Sequence, residues 1–258
     1  MNTDCIIFVS GGNKMAGHSK WNNIKRIKGA QDAKRGKVFT KIAREIIVAV
    51  KETGIGDPEN NSKLAAAITK AKAANMPNEN IKRTIDKALG ADSSVSYESA
   101  TYEGYGPGGV AVILEAMTDN RNRTAAEIRL IFDKHGGNLG TTGCVSWSFD
   151  RKGVFVIDNE DGNLDEDQVM SDILDAGAED METGDGVFEI RTSPDDFPAI
   201  NVTLDNLGYK FISAQVELVP QNYVTLSDAG DIKNMTKMLD LMEDNDDIQN
   251  VWHNYTSE

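Results

Sequence analysis

A chain of 258 residues has room for a sizeable core, in one large domain or in two to three smaller ones. Apolar residues make up 40% and charged residues 26%, the balance of a globular protein, which argues against a largely disordered chain. Two cysteines, Cys5 and Cys144, exclude a disulfide framework and a cysteine-rich metal site, and no apolar run approaches the roughly 18 residues that a membrane helix requires.

The net charge of -14 hides a polarity. Residues 1–90 carry 17 Lys/Arg against 8 Asp/Glu, net +9, and residues 91–258 carry 10 against 33, net -23. The basic part can attract a polyanion; the acidic part is repelled by one, or faces away. A plainer reading is solubility together with attraction between the two parts.

Residues 1–14 precede a second methionine, Met15, and form an N-terminal extension of little expected function. Cys5–Val9 is apolar but short, and Asp4 stands where a signal peptide carries basic residues. Gly17–Lys37 holds Lys20, Lys25, Arg26, Lys28, Lys34, Arg35, Lys37 and, more weakly, His18, against one acid, Asp32. Trp21, Ile24 and Ile27 give it a short apolar helical stripe, punctuated by Gly29 and Gly36. A helix is predicted over Val38–Thr53, with Phe39, Ile42, Ile46 and Val50 inward and Lys41 and Arg44 largely opposite. Asn60 or Asn61 caps a helix through Ala71, and Met76-Pro77 breaks it. Asn78 caps a third, with Ile81, Ile85, Ala88 and Leu89 inward and Gly90 as its stop. Short loops make these a small antiparallel bundle, residues 15–92.

After a small polar linker, the apolar period changes from 3.6 to 2. Strands are predicted at Tyr97–Tyr105 and Val110–Met117 around the turn Gly106–Gly109, then a helix over Asn122–His135 and a strand at Val145–Phe149. A second set follows: strand Val154–Ile157, helix Leu164–Ala176 with Val169, Ile173 and Leu174 inward, and a hairpin of Ala178–Glu182 with Val187–Arg191. Pro194 opens a helix through Leu207, and Phe211–Val219 is the last strand. This β-α-β-β-α-β order is the ferredoxin-like arrangement. A short extended piece, a helix over Asp228–Met242 and a strand near Val251–Tyr255 remain. The class is therefore α+β: a helical domain of three-helix type and two α+β domains. One of these is discontinuous, 97–150 plus 221–258, and the ferredoxin-like one, 151–220, is inserted in it.

Signals for an enzyme are weak. His18, His135 and His253 match no zinc spacing, and there is no Walker A motif or dinucleotide fingerprint. Gly104–Gly109 reads as a turn. The acids from Asp158 to Asp167 do not fit a calcium loop and read as a solvated face. Cys144 reads as a buried, inert thiol. Arg121 and Arg123 open a helix, where free N–H groups favour an anion, although ion pairing with the acidic body competes. The basic N-terminal segment is the strongest signal. Its cations neutralise phosphates and release counterions, and Arg26 and Arg35 can grip a phosphate bidentately. Trp21 either stacks on a nucleobase or anchors its helix to the bundle.

The segments MAGHSKWNNIKRIKGAQDAKRG (15–36), KVFTKIAREII (37–47), AANMPNENIKRTIDKALG (73–90), YEGYGPGG (102–109), TDNRNRTAAEIR (118–129) and HGGNLGTTGCVSWS (135–148) resemble the YebC-like family. Its members are commonly labelled probable transcriptional regulatory proteins. It includes the mitochondrial translational activator of cytochrome c oxidase subunit I. The resemblance runs from Met15 to the C-terminus. It implies a cytoplasmic protein of three domains and two kinds of activity: DNA-binding transcriptional control, or ribosome binding that relieves stalling in translation. The absence of a readable recognition helix favours structured RNA. The expected nucleic-acid-binding residues are His18, Ser19, Lys20, Trp21, Lys25, Arg26, Lys28, Lys34, Arg35, Lys37, Lys41, Arg44, Arg121 and Arg123, with the Tyr105–Gly109 turn a weaker candidate. The expected partner is ribosomal RNA or the ribosome, with double-stranded DNA as the alternative and a protein-interaction role without nucleic acid as the third reading. No catalytic residue, cofactor, metal, membrane or small-molecule substrate is expected, and the chain is expected to be a monomer.

Overall fold

The computed structural model describes residues 31–90, 97–184 and 186–256. Its class is α+β, as the residue patterns indicate. Helix α1 (Gln31–Thr53) runs straight through Gly36. An interior glycine costs a helix only about 1 kcal/mol, and the buried stripe that follows, Ile42, Ile46, Ala49 and Val50, holds the helix together. Gly36 is thus no stop.

In the cap of α2 (Ser62–Ala73), Asn61 is the residue that acts. Its Oδ1 accepts from Leu64 N at 3.1 Å, while its Nδ2 donates to the Ala49 and Ile55 carbonyls. One buried amide thus ties α2 to the end of α1. Helix α3 (Asn78–Leu89) starts without a side-chain cap: Pro77, at φ -59, is its N-cap, and its carbonyl accepts from Asn80 and Ile81. Asn78 is therefore inside the helix. Leu89 is half exposed rather than inward, because it lies over Gly56, where an added Cβ would come within 2.5 Å of its Cδ1.

The first sheet has the order β3-β1-β2-β9, from Asn138–Leu139, Glu98–Tyr105, Ala111–Thr118 and Ile248–His253, with every pairing antiparallel. Both faces of β2 are covered, so its apolar run is nearly continuous. Val112 and Leu114 pack beneath helices α4 (Arg121–Lys134) and α7 (Ala229–Asp244), beside Ile128, Phe132, Met235, Met238 and Met242. Ala111 and Ile113 pack on the other face, against Val145, Phe149, Leu218 and Trp252.

The second sheet has the order β5-β6-β4-β7, from Asp180–Gly184, Val187–Thr192, Phe149–Asp158 and Phe211–Pro220. With helices α5 (Glu166–Asp175) and α6 (Phe197–Asn206) on one face, this is the ferredoxin-like strand order. Phe155 and Ile157 face the helices; Val154 and Val156 face the other way. The chain enters this sheet at Phe149 and leaves at Pro220, and these two residues are paired. A short parallel pair, β8 (Val224–Thr225) with β10 (Tyr255–Thr256), lies beside the first core.

Several local expectations change. Val145–Phe149 is not a strand: Ser146–Ser148 is a 3-10 turn, and β4 runs unbroken from Phe149. The amides of Val145 and Ser146 are taken by the Glu103 carboxylate, and Ser148 folds back on the Val145 carbonyl. Leu174 is exposed because the buried stripe of α5 runs through Val169 and Ile173, one residue short of it. Helix α6 begins at Phe197, not Pro194, since Ser193 and Asp196 form a side-chain turn ahead of it.

Candidate nucleic-acid interface and the seam beside it

Among the fourteen expected contact residues, His18, Ser19, Lys20, Trp21, Lys25, Arg26 and Lys28 lie outside the described residues. Lys34 and Arg35 are placed only by their backbone, in the first turns of α1. The other five are positioned, and all five meet acidic or carbonyl oxygens of the protein itself.

Lys37, Lys41 and Arg44 follow one another at helical spacing, so they form one stripe on α1. The stripe lands on the C-terminal end of α7 and the turn after it. Lys37 Nζ is 2.9 Å from Asp244 Oδ1 and donates to the Asp244 carbonyl; Lys41 Nζ donates to the Glu243 carbonyl at 3.0 Å. Arg44 Nη1 donates to Asp247 Oδ1 at 2.6 Å, to the Asp246 carbonyl at 2.6 Å and to the Met117 carbonyl at 3.2 Å. The guanidinium lies 5.2 Å over the Tyr97 ring. A helix C-terminus has carbonyls without helical partners and a partial negative charge, so cations settle there. Burial lowers the Lys41 pKa, against the pull of Glu243 and Asp246.

Asp247 is the centre of this seam. Its side chain is 6% exposed. Oδ1 takes Arg44; Oδ2 accepts from Arg123 Nη2 at 2.7 Å and from the Thr124 hydroxyl at 2.6 Å, with Thr118 Oγ1 at 3.3 Å. Burial alone pushes this carboxyl up. The hydrogen bonds from Thr124, Arg123 and Arg44 outweigh burial and hold it at about 2. Arg123 also pairs with Asp119 at 2.9 Å, and Arg121 lies 3.6 Å from Glu98 across an exposed gap. The start of α4 is capped by Asn120, whose Oδ1 accepts from Arg123 N.

The Gly106–Gly109 turn is filled by the protein's own packing. Gly108 sits at φ 64, and an added Cβ there would collide with Leu226 Cδ2. Cys144 is only partly buried, and burial and the nearby Glu103 raise its thiol pKa, which disfavours the nucleophilic thiolate. Sequence reasoning missed Asp247 altogether. It stands in an acid-rich run with Asp240, Glu243, Asp244 and Asp246, which reads as solvated surface until the fold places Arg44 and Arg123 on it. Among the described residues no helix is long and apolar enough to cross a membrane.

This ordering of a basic helical unit, a first sheet closed by C-terminal residues and a ferredoxin-like sheet can be set beside known proteins. Residues 19–91 match the family model described as the TACO1/YebC protein N-terminal domain, and residues 97–255 match the TACO1/YebC second and third domain. The chain belongs to the TACO1/YebC family. A probable transcriptional regulatory protein of Acetivibrio thermocellus is 58% identical over 244 residues, covering 95% of this chain and all of the relative. Another, from Geobacillus kaustophilus, is 55% identical over 240 residues, covering 93% and 97%. The crystal structure of a conserved hypothetical protein, Aq1575, from Aquifex aeolicus superposes with a TM-score of 0.78 at 42% identity, over 88% of this chain and 92% of that one. As a TACO1/YebC member, the chain shares its resemblance to regulators of gene expression across nearly its whole length.

Proposed function

We propose that this protein is a nucleic-acid-binding regulator of gene expression that acts on the ribosome, by docking its basic N-terminal segment on ribosomal RNA. One observation carries the reading: residues 1–90 carry a net charge of +9, and six of their cations are concentrated between Lys20 and Arg35. Among the described residues the seam employs Lys37, Lys41 and Arg44, while Lys20, Lys25, Arg26, Lys28, Lys34 and Arg35 precede them in the chain. Phosphate contacts by those six would supply a salt-dependent attraction. The α+β sheets would then set reach and orientation, and help through positioning rather than bond chemistry. The acidic body, net -23, opposes indiscriminate coating of nucleic acid.

The names of the relatives favour a second reading, a DNA-binding transcriptional regulator. A specific duplex bound far more tightly than unrelated DNA or ribosomes, at a stated salt concentration, would decide for it. The test of the first reading is co-sedimentation with ribosomes. Lys25→Glu/Arg26→Glu/Lys28→Glu is expected to reduce association at least tenfold and to flatten its salt dependence. Association unchanged by the three reversals removes the segment from the RNA contact.

A further inference from the structure

Trp147 is the most exposed large apolar side chain among the described residues, at 69%. Such a ring is usually mobile, yet this one is pinned. Its Nε1 donates to the Cys144 carbonyl at 2.9 Å, and the Tyr105 hydroxyl donates to the same oxygen at 3.1 Å. The loop beneath them is fixed by a buried carboxylate. Glu103, 4% exposed, accepts from Gly143 N at 2.8 Å and from Val145 N and Ser146 N at 3.0 Å each. Gly140 N donates to the Glu103 carbonyl, and an added Cβ at Gly140 would stand 2.5 Å from Cys144 Sγ. With its polar atom already used, Trp147 offers a ligand mainly its ring surface.

The charge around it is also exceptional for this body. Lys134–Phe149, 16 residues bounded by Asp133 and Asp150, is the longest stretch after Gly90 without Asp or Glu. A second acid-free stretch, Gly104–Leu114, meets it in space, because Tyr105 pairs with Asn138 and Gly104 with Leu139. Glu103, the acid that precedes Gly104, is turned inward onto backbone amides. A polyanion meets no acidic side chain of these two stretches themselves, unlike the acid-rich runs elsewhere in the body. The rim is polar: Asn138, Thr141 and Thr142 are exposed, while Val145 and Phe149 are buried in the core behind. A partner helix would require several apolar anchors in a row. A single rigid ring in a polar, glycine-rich rim suits one planar, hydrogen-bonding ring.

We propose that Trp147, flanked by Tyr105, is a stacking platform for an unpaired nucleobase of RNA. The proposal rests on the nucleic-acid reading above and adds base contact, through the first α+β sheet, to phosphate contact through the basic segment.

The test uses the full chain at low salt and two labelled oligomers of about twelve nucleotides, oligo(A) RNA and an abasic strand of equal charge, read by fluorescence anisotropy. Wild type is expected to bind oligo(A) about tenfold more tightly than the abasic strand. Trp147→Ala is expected to lower oligo(A) affinity about tenfold, to the abasic level, and to leave abasic binding unchanged. Trp147→Phe is expected to keep most of the preference. The ring lies mostly in solvent, so an unaltered thermal melt of Trp147→Ala accompanies this result. If wild type binds both oligomers equally, and Lys25→Glu/Arg26→Glu/Lys28→Glu weakens both, phosphate binding stands and the platform falls. Trp147→Ala that leaves oligo(A) affinity unchanged overturns it as well. If wild type binds neither oligomer, the platform falls, and co-sedimentation with ribosomes decides the reading it rests on.

Discussion

Asp247 draws together residues from three places in the chain: Arg44 from α1, Arg123 and Thr124 from α4, and Thr118 from the end of β2. A carboxylate held below its usual range adds stability above the unfolded pKa of about 3.9, and that stability disappears as pH falls toward the folded value of about 2. Asp247→Asn keeps the shape and removes the charge that two arginines face. It is expected to cost about 1–3 kcal/mol at pH 7 in urea unfolding. The gap from wild type should shrink on titration from pH 5 to pH 2; a gap that stays constant would show that the ionised form is not what matters. Nothing in the one-dimensional pattern marks this residue. Its importance arises from contacts with residues more than a hundred positions away, which no local period encodes.

At the scale of elements, helices and strands were readable wherever an apolar stripe was long, as in α1, β2 and α7. One misreading falls where a distant group captures a backbone. The 3-10 turn at Ser146–Ser148 has the residues of a strand, but Glu103, some forty positions earlier, takes its amides. Burial pushes the Glu103 carboxyl up, and the N–H groups of Gly143, Val145 and Ser146 more than offset this, leaving it below the ordinary carboxylate range. Its contribution is therefore present above the unfolded pKa and is lost as the solution is acidified. Glu103→Gln is expected to cost about 1–2 kcal/mol. Hydrogen exchange should quicken at Gly143, Val145 and Ser146 before it quickens at β2. Equal protection in the variant would mean that the carboxylate does not hold the loop. The continuation of α1 through Gly36 teaches a related lesson: a residue with poor helix propensity does not end a helix whose next turns are buried.

For the whole molecule, the charge polarity visible in the composition proves to be partly internal. Among the described residues, the body's negative end at α7 engages three cations of the helical unit, an arrangement that composition allowed but could not place. The expected contact set was thus a mixture: residues committed to the seam, Arg121 beside Glu98, and residues N-terminal to the seam. If the seam couples the two units, Arg44→Ala and Asp247→Ala should be non-additive by about 1–3 kcal/mol in a double-mutant cycle. Additive losses would show that the two side chains stabilise the protein independently. The ferredoxin-like order was legible because each of its elements is consecutive. The closing of the first sheet by β9 was harder to read, since β2 and β9 are separated by the entire second sheet.

That separation sets an order of events during synthesis. Arg44 and Lys37 emerge about two hundred residues ahead of Asp247 and Asp244, and Ile113 of β2 waits about 140 residues for its partner Trp252. A nascent chain folds its units from the N-terminus onward, so the helical unit is made with its docking stripe unmatched. Its counter-charges leave the exit tunnel far later, together with the strand that completes the first sheet. A chain cut short before Asp244 would lose both at once.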